Sequence, residues 1–395
     1  HGFSGGDSTT NIDGTRVQLM FGNGGGGIRW DKVNQAGAEE VTLQTGAVSA
    51  ESETGGFVQN VVPREGGNSI KVYSLVNYTG DGFQSTNVTD ALRARGLLTP
   101  PSVKRIYDAG AGLGGPVVKD RLWFYPAHRR WGTDEQQPGN YYNAAQNSLF
   151  YTPDLTRPTV TESYTQDHSV RLTWQATAKH KISASNSFQK ACACRFSLAG
   201  TAKAAEAGTD LFYTVNLTQA SWNYPVTSRL LIDGRLAHMF SYSESKRVPG
   251  VGTSDRAVTE LSTGVQYGSY LATLNGISAY TAPGPPNYSN SLLSRWSMSY
   301  VTGSHVFKVG LNTMSGLQSA SGRIDLPSYQ FRTPSPGAAP LPVALTLYAS
   351  PHWNESRVRL NLGLFAQDQW TVRRFTFNYG VRFDRLDAYN PEQLR

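Results

Sequence analysis

From residue 70 onward the chain is a succession of segments whose side chains alternate in kind, joined by connections that alternate in length. An apolar-polar alternation puts unlike residues on the two faces of a β-strand. In the last segment Phe375, Phe377, Tyr379, Val381 and Phe383 share one face, and Thr376, Asn378, Gly380, Arg382 and Asp384 share the other. Val358, Leu360, Leu362 and Leu364 alternate with Arg359, Asn361, Gly363 and Phe365. Val170, Leu172, Trp174 and Ala176 alternate with Arg171, Thr173, Gln175 and Thr177, while Leu230, Ile232, Leu236 and Phe240 lie opposite Asp233 and Arg235. About eleven strands are predicted, near 70–79, 105–116, 121–131, 166–177, 180–190, 211–222, 229–240, 291–302, 305–316, 356–371 and 374–387.

The second and third strands join through VVKD, the fourth and fifth through TAKH, the sixth and seventh through YPVTS, the eighth and ninth through TGSH, and the last two through VRR. The intervening connections, about 81–104, 132–165, 191–210, 241–290 and 317–354, are long and rich in Gly, Pro, Ser and Tyr. A soluble sandwich or propeller has no physical reason to keep every second connection short. A membrane β-barrel does, with tight turns on one rim and long loops outside. A strand shows lipid only every second side chain, so a mean hydropathy of −0.39 and the lack of an apolar run near 18 residues exclude spanning helices but not spanning strands. Trp123, Trp131, Trp296 and Trp370 near strand ends suit interfacial girdles. A barrel in lipid must close, because an open edge leaves backbone groups unpaired, and bacterial barrels use even strand numbers. About eleven strands therefore read as half of a barrel, and the chain, which opens on His1, reads as a piece of a longer protein.

Charge adds little. The net +7 comes from 36 Lys and Arg scattered without a block, which argues against nucleic acid as partner. The two cysteines, Cys192 and Cys194, are too few for a zinc site, with His180 the nearest further ligand; a loop pair, oxidised or bonded to a cysteine elsewhere, is the simpler expectation.

The first seventy residues differ in texture: NIDGTRVQLM, a glycine run, then VNQAGAEEVTLQTGAVSAESETGGFVQNVVPREGGN, with a short amphipathic helix expected near 31–38. Glu40 and Val41, Gly46, Ser49 and Ala50, Gly55 and Gly56, then Val58, Asn60, Val61, Val62, Arg64, Gly66 and Gly67 follow the order of the segment that closes the plug of TonB-dependent receptors, and Asp13-Gly14 before Arg16-Val17 matches an earlier strand of that plug. Pro63-Arg64 stands where the family has Thr-Lys. GGPVVKDRLWFY at 114–125 and GLFAQDQWTV at 363–372 resemble barrel hairpins of the Oar-like branch. The resemblance covers nearly the whole chain. It implies residues 1–68 as the C-terminal part of a small α/β plug domain, and residues 69–395 as the N-terminal half of an antiparallel transmembrane barrel of about twenty-two strands. It also implies a monomeric barrel in the bacterial outer membrane, with the plug toward the periplasm and the long loops outside. Active uptake of a siderophore, oligosaccharide or peptide, energised through TonB and its inner-membrane complex, would follow. A surface adhesion or assembly protein on the same scaffold is the alternative.

Candidate residues follow from this frame. The run Gly22–Gly27 lacks the Gly-Lys-Ser/Thr of a phosphate loop and reads as an apical plug loop, which would turn Asn23, Arg29 and Trp30 toward a ligand. Tyr141 and Tyr142, between Asn140 and Asn143 in a long external loop, can stack on and hydrogen-bond a ligand. Arg64 sits at the plug-barrel junction, where an unpaired charge is costly; Asp167, Asp233, Asp368 and Asp384 are candidate partners from the barrel, with a solvated arginine as the simpler reading. No His-Glu-x-x-His and no Gly-x-Ser-x-Gly occurs, so no catalytic residue, metal ligand or cofactor site is assigned.

Overall fold

A computed structural model describes residues 9–17, 32–45, 49–53, 56–85, 87–95, 101–145, 148, 150–196, 198, 203–252, 254–269, 273–274, 277–278, 287–322, 327–335, 337–347, 349 and 352–392. Near the N-terminus, β1 (Thr9–Ile12), β2 (Thr15–Arg16), β3 (Ala38–Gln44) and β4 (Val58–Pro63) form one sheet in the order β2-β1-β4-β3. Asp13 and Gly14 join β1 to β2 with φ of 52° and 68°, the doubly left-handed turn that an Asp-Gly pair tolerates best. The expected helix near 31–38 is absent from the described part of that stretch. Residues 35–37 form a turn, because the Asn34 side chain accepts from Ala36 N at 3.0 Å and Gly37 N donates to Asn34 O at 3.0 Å. Such side-chain bonds compete with helix formation.

The rest is dominated by an eleven-stranded antiparallel sheet. Its members are β5 (Lys71–Gly80), β6 (Ser102–Val118), β7 (Leu122–Asn143), β8 (Pro153–Gln175), β9 (Lys181–Phe196), β10 (Thr209–Pro225) and β11 (Leu230–Arg247). Four short strands then lie in a connection, β12 (Ala257–Glu260), β13 (Val265–Tyr267), β14 (Thr273–Leu274) and β15 (Ile277–Ser278). The wall resumes with β16 (Asn287–Thr302) and β17 (His305–Gly322), is interrupted by β18 (Ser328–Arg332) and β19 (Leu341–Thr346), and ends with β20 (His352–Val372) and β21 (Phe375–Tyr389). Spatial order follows chain order from β5 to β21, and each neighbouring pair in the wall is antiparallel. All eleven expected strands are present at their expected places.

They are longer than expected. β7 runs 22 residues and β8 runs 23, so the connection between them shrinks to 144–152, and Tyr141 and Tyr142 belong to β7 instead of a loop. Where both faces of a strand meet like surroundings, as at the buried Asn140, Asn143 and Thr159, the alternation that marks it in sequence fades while its backbone pairing continues. Near the far end of the wall, β12, β13, β18 and β19 build a second small sheet in the order β13-β12-β18-β19.

The two faces of the wall are unlike. Tyr125, Arg129, Asp167, Arg171, Gln189, Gln219, Arg235, Arg295, Lys308 and Arg382 all reach the N-terminal sheet or the segments joining its strands, which defines the inner face. The opposite parity carries Leu172, Trp174, Leu292, Phe307, Val309, Leu364, Phe377 and Val381, with Leu292 54% and Phe307 43% exposed. A continuous exposed apolar surface on interior strands is untenable in water and required in lipid.

Candidate functional site

The N-terminal sheet docks on the inner face, and the contact between them is the most organised polar region of the molecule. Arg171 binds Asp13 and Glu65, both at 3.0 Å, and Lys181 adds a second bond to Glu65 at 2.7 Å. Arg235 reaches Asp13 at 3.3 Å. Glu51 lies between Arg295 and Lys308, with Lys308 Nζ at 2.8 Å, and Glu53 pairs with Arg16 and lies 3.8 Å from Arg382. Asp13, Glu51, Glu53 and Glu65 thus come from the N-terminal segment, and Arg171, Lys181, Arg235, Arg295, Lys308 and Arg382 from the wall.

Backbone groups add to this. The Gln189 amide spans Lys32, donating to its carbonyl at 2.6 Å and accepting from its N–H at 3.0 Å. The Tyr125 hydroxyl donates to Ala36 O at 2.9 Å, and Arg295 donates to Gly14 O at 2.7 Å. Two small apolar clusters complete the contact. Val17 packs with Val215, Leu217, Ala237, Met239 and Leu293, and Ala36 packs with Tyr125 and Ala127. Close approach needs glycine at two places. A Cβ at Gly66 would collide with the carbonyl oxygens of Phe124 and Gly115, and one at Gly112 would press on the Tyr125 hydroxyl and Ala36 O. Elsewhere the two surfaces stand apart, enclosing a cavity of about 400 Å³ with Asn11, Ser49 and Asn60 on one side and Arg235, Asn312 and Asn361 on the other.

The barrel carboxylate expected as the partner of Arg64 is corrected by this geometry, and its contact with the wall is with an aromatic ring instead. Its guanidinium pairs with Glu39 of β3 at 2.9 Å and lies 4.9 Å over the ring of Tyr73 in β5, so its ion pair stays within the N-terminal sheet. None of the four barrel carboxylates expected for it serves. Asp167 accepts from Asn34, Ser187 and Gln189, Asp233 pairs with Arg235, Asp384 pairs with Arg382, and Asp368 lies on the outer face with His305 and Tyr379. The charges across the junction run in the opposite sense, acids on the small sheet and bases on the wall. The alternation had already put Arg171, Arg235 and Arg382 on the polar face, and it offered no way to pair them with Asp13, Glu51 or Glu65.

Asn23, Arg29 and Trp30 lie outside the described residues. Tyr141 and Tyr142 are half-buried at the end of β7; Tyr141 O accepts from the Tyr151 hydroxyl at 3.0 Å, and the Tyr142 ring lies 4.5 Å beneath the Arg157 guanidinium while its hydroxyl accepts from Arg195 at 3.2 Å. Cys192 and Cys194 are joined to each other by a disulfide within β9, so they form no loop pair and need no external cysteine. At the far end, Glu206 is 1% exposed, accepts from Asn143 N at 3.1 Å, and has no partner on Oε1. Burial pushes its carboxyl above the ordinary range against the pull of backbone bonds from Asn143 and Gly268. Beside it the stacked Tyr151 and Tyr267 are pushed up by burial to about 12.

A family described as outer membrane beta barrel domain matches residues 136–394, about two thirds of the chain. The chain belongs to this outer-membrane β-barrel family. It is an outer-membrane protein of the TonB-dependent receptor fold, as three further likenesses illustrate. It is 30% identical over 89 residues to the TonB-dependent transporter Oar of Myxococcus xanthus, covering 22% of this chain and 8% of that protein. It superposes on the ferric enterobactin receptor of Pseudomonas aeruginosa with a TM-score of 0.58 at 13% identity, covering 96% of this chain and 50% of that one. For the outer membrane transporter YddB of Escherichia coli the TM-score is 0.56 at 11% identity, with 97% and 50% covered. The chain spans about half the length of these solved structures and a small part of Oar. In the barrel frame the N-terminal sheet occupies the lumen side, and the apolar outer face is the lipid face.

Proposed function

We propose that this chain supplies the closing part of the plug (residues 1–68) and the first half of the barrel (residues 69–395) of a transporter that takes a ligand across the outer membrane on energy delivered through TonB. The character of the lumen contact carries this reading. A plug fused to its wall by a broad apolar core would resist displacement. Here the seat is made mainly of ion pairs and hydrogen bonds around two small clusters, and water can replace such bonds one at a time, at a net cost of roughly 0.5–1.5 kcal/mol for a neutral bond and roughly 1.5–3 kcal/mol for one to a charged group. That is the kind of contact a pull from the periplasmic side can release and a return stroke can remake. The open space beside Asn11 and Asn361 gives a displaced segment somewhere to go. Asn23, Arg29 and Trp30 on the plug, with Tyr141 and Tyr142 at the outer rim, are our candidates for ligand contact, and Arg64 steadies the junction through Tyr73.

The ligand class is a siderophore, an oligosaccharide or a peptide. Cells expressing the protein that carries this chain should be given labelled ferric chelates, oligosaccharides and peptides, with TonB present or deleted. Accumulation of one class only when TonB is present is expected. Binding and entry indifferent to TonB for every class would sink the reading.

A further inference from the structure

The lipid face is not uniform around the wall, and its irregularity is chemically specific. On β21 the outward positions are apolar from Phe375 to Phe383, nine residues, or about 21 Å of height at the usual tilt. On β7 the outward apolar positions are only Leu122, Phe124 and Pro126, and on β8 only Trp174, Leu172 and Val170. Five residues give about 12 Å, half of an ordinary apolar band.

Directly beyond them lie the stacked rings of His128 and His168, with centroids 4.4 Å and Nδ1 atoms 3.1 Å apart, and the Gln166 amide 2.9 Å from His168 Nε2. The next row sets Arg130 opposite Gln166 and Gln166 opposite Lys190. Arg130 lies 5.6 Å over the Tyr164 ring and Lys190 lies 5.5 Å over the Phe188 ring. Two rows farther out, the charge of Arg105 is met by Asp134 and Glu162, whereas among the described residues neither Arg130 nor Lys190 has a carboxylate partner.

We propose that Arg130, Gln166 and Lys190, with the two histidines beneath them, form a lipid-side binding site for a phosphorylated glycolipid headgroup of the outer leaflet. Two unneutralised cations facing lipid require anions, and at this height the anions at hand belong to headgroups drawn inward by the short apolar band. The aromatic partners fit the same depth, since a cation laid over a ring is suited to a boundary between apolar and polar layers. The spacing selects the headgroup. Arg130 and Lys190 are two strand spacings apart, about 9–10 Å, which suits one headgroup bearing two separated phosphates better than one bearing a single phosphodiester. The Gln166 amide between them can bond the sugar. The inference concerns the outer face and stands apart from any transport role.

The full-length protein carrying this chain should be reconstituted in nanodiscs containing bis-phosphorylated lipid A, its dephosphorylated form or phosphatidylglycerol, and the lipid retained after detergent exchange counted by native mass spectrometry. The bis-phosphorylated form should be retained about tenfold over the other two. The double variant Arg130→Gln, Lys190→Gln should lose that preference, and Arg130→Lys, Lys190→Arg should keep it, with barrel folding of both checked by heat-modifiable gel mobility. Equal retention of all three lipids by the unaltered protein, or an undiminished preference in the Gln variant, would overturn the proposal. So would dimers of the protein that the Gln variant separates with lipid retention unchanged, because the face would then be a protein interface.

Discussion

The inner and outer faces of the eleven-stranded sheet are built from the same strands, yet they obey opposite rules. On β8, Arg171 faces inward and binds Asp13 and Glu65, while its neighbours Val170 and Leu172 face outward and are 43% and 45% exposed. The inner contacts are individually weak and replaceable by water, whereas the outer ones have no polar substitute in hydrocarbon. The comparison predicts that a charge introduced on the outer face is costly and one introduced on the inner face is tolerated. Val381→Arg on the outer face should cost about 2–4 kcal/mol, as expected for a cation near the bilayer midplane, in urea titrations of the protein folded into bilayers. Asn361→Asp on the inner face, beside the cavity and Arg382, should change the same measurement by under about 1 kcal/mol. Equal costs would mean that the two faces do not meet different solvents.

The next largest effect tests the seat of the plug. Glu51, like Asp13 and Glu65, meets two wall cations, here Arg295 and Lys308, both mostly shielded from solvent. Glu51→Gln leaves both cations without their anion and should weaken docking by about 1–3 kcal/mol without unfolding the barrel. Hydrogen exchange should then speed up in the amides of β3 and β4 and stay unchanged in β10 and β11. Faster exchange throughout would show that the plug and wall form one cooperative unit.

How much of this contrast could be read in the sequence differs between the faces. The strand positions and the two-faced character were legible because lipid imposes a strict period on side chains, and every expected strand lies where 166–177 or 374–387 had placed it. The strand ends were not, since Asn140–Asn143 of β7 are buried or half-buried among other loop residues on both faces and lose the period. The pairing across the lumen was also hidden. Asp13 and Arg171 are 158 residues apart, and nothing local in either segment names the other. The direction of charge followed the same logic. Arg64 is conspicuous in sequence at the junction, but Glu39 on the adjoining strand takes it first.

Above the lipid the comparison can be sharpened by pH, because Glu206 is buried where neither lipid nor an ion pair explains it. Its pKa is raised in the folded loops by burial, so the ionised form is the one that folding disfavours. The stability it contributes is therefore fully present at pH below the ordinary carboxylate range and is lost as pH rises through the raised value. Limited proteolysis of the loops should show slower cleavage as pH is lowered toward 4, and Glu206→Gln should be slow at every pH. A variant that keeps the pH dependence would assign it to another group.

The smallest effect is expected at Arg64. Its partner Glu39 is 62% exposed at the side chain, and its stacking on Tyr73 occurs at the edge of the sheet. Exposed ion pairs of this kind contribute roughly 0–1 kcal/mol, and a cation over an accessible ring about 0.5–1 kcal/mol. Arg64→Ala should thus speed exchange in β4 less than Glu51→Gln does, and more salt should narrow the gap between Arg64→Ala and the unaltered protein, because screening weakens the pair that only the unaltered protein has. If Arg64→Ala released the plug as fully as Glu51→Gln, the acid-on-plug, base-on-wall arrangement would not be what seats it. The junction at Tyr73 would then be the hinge on which the N-terminal sheet is held.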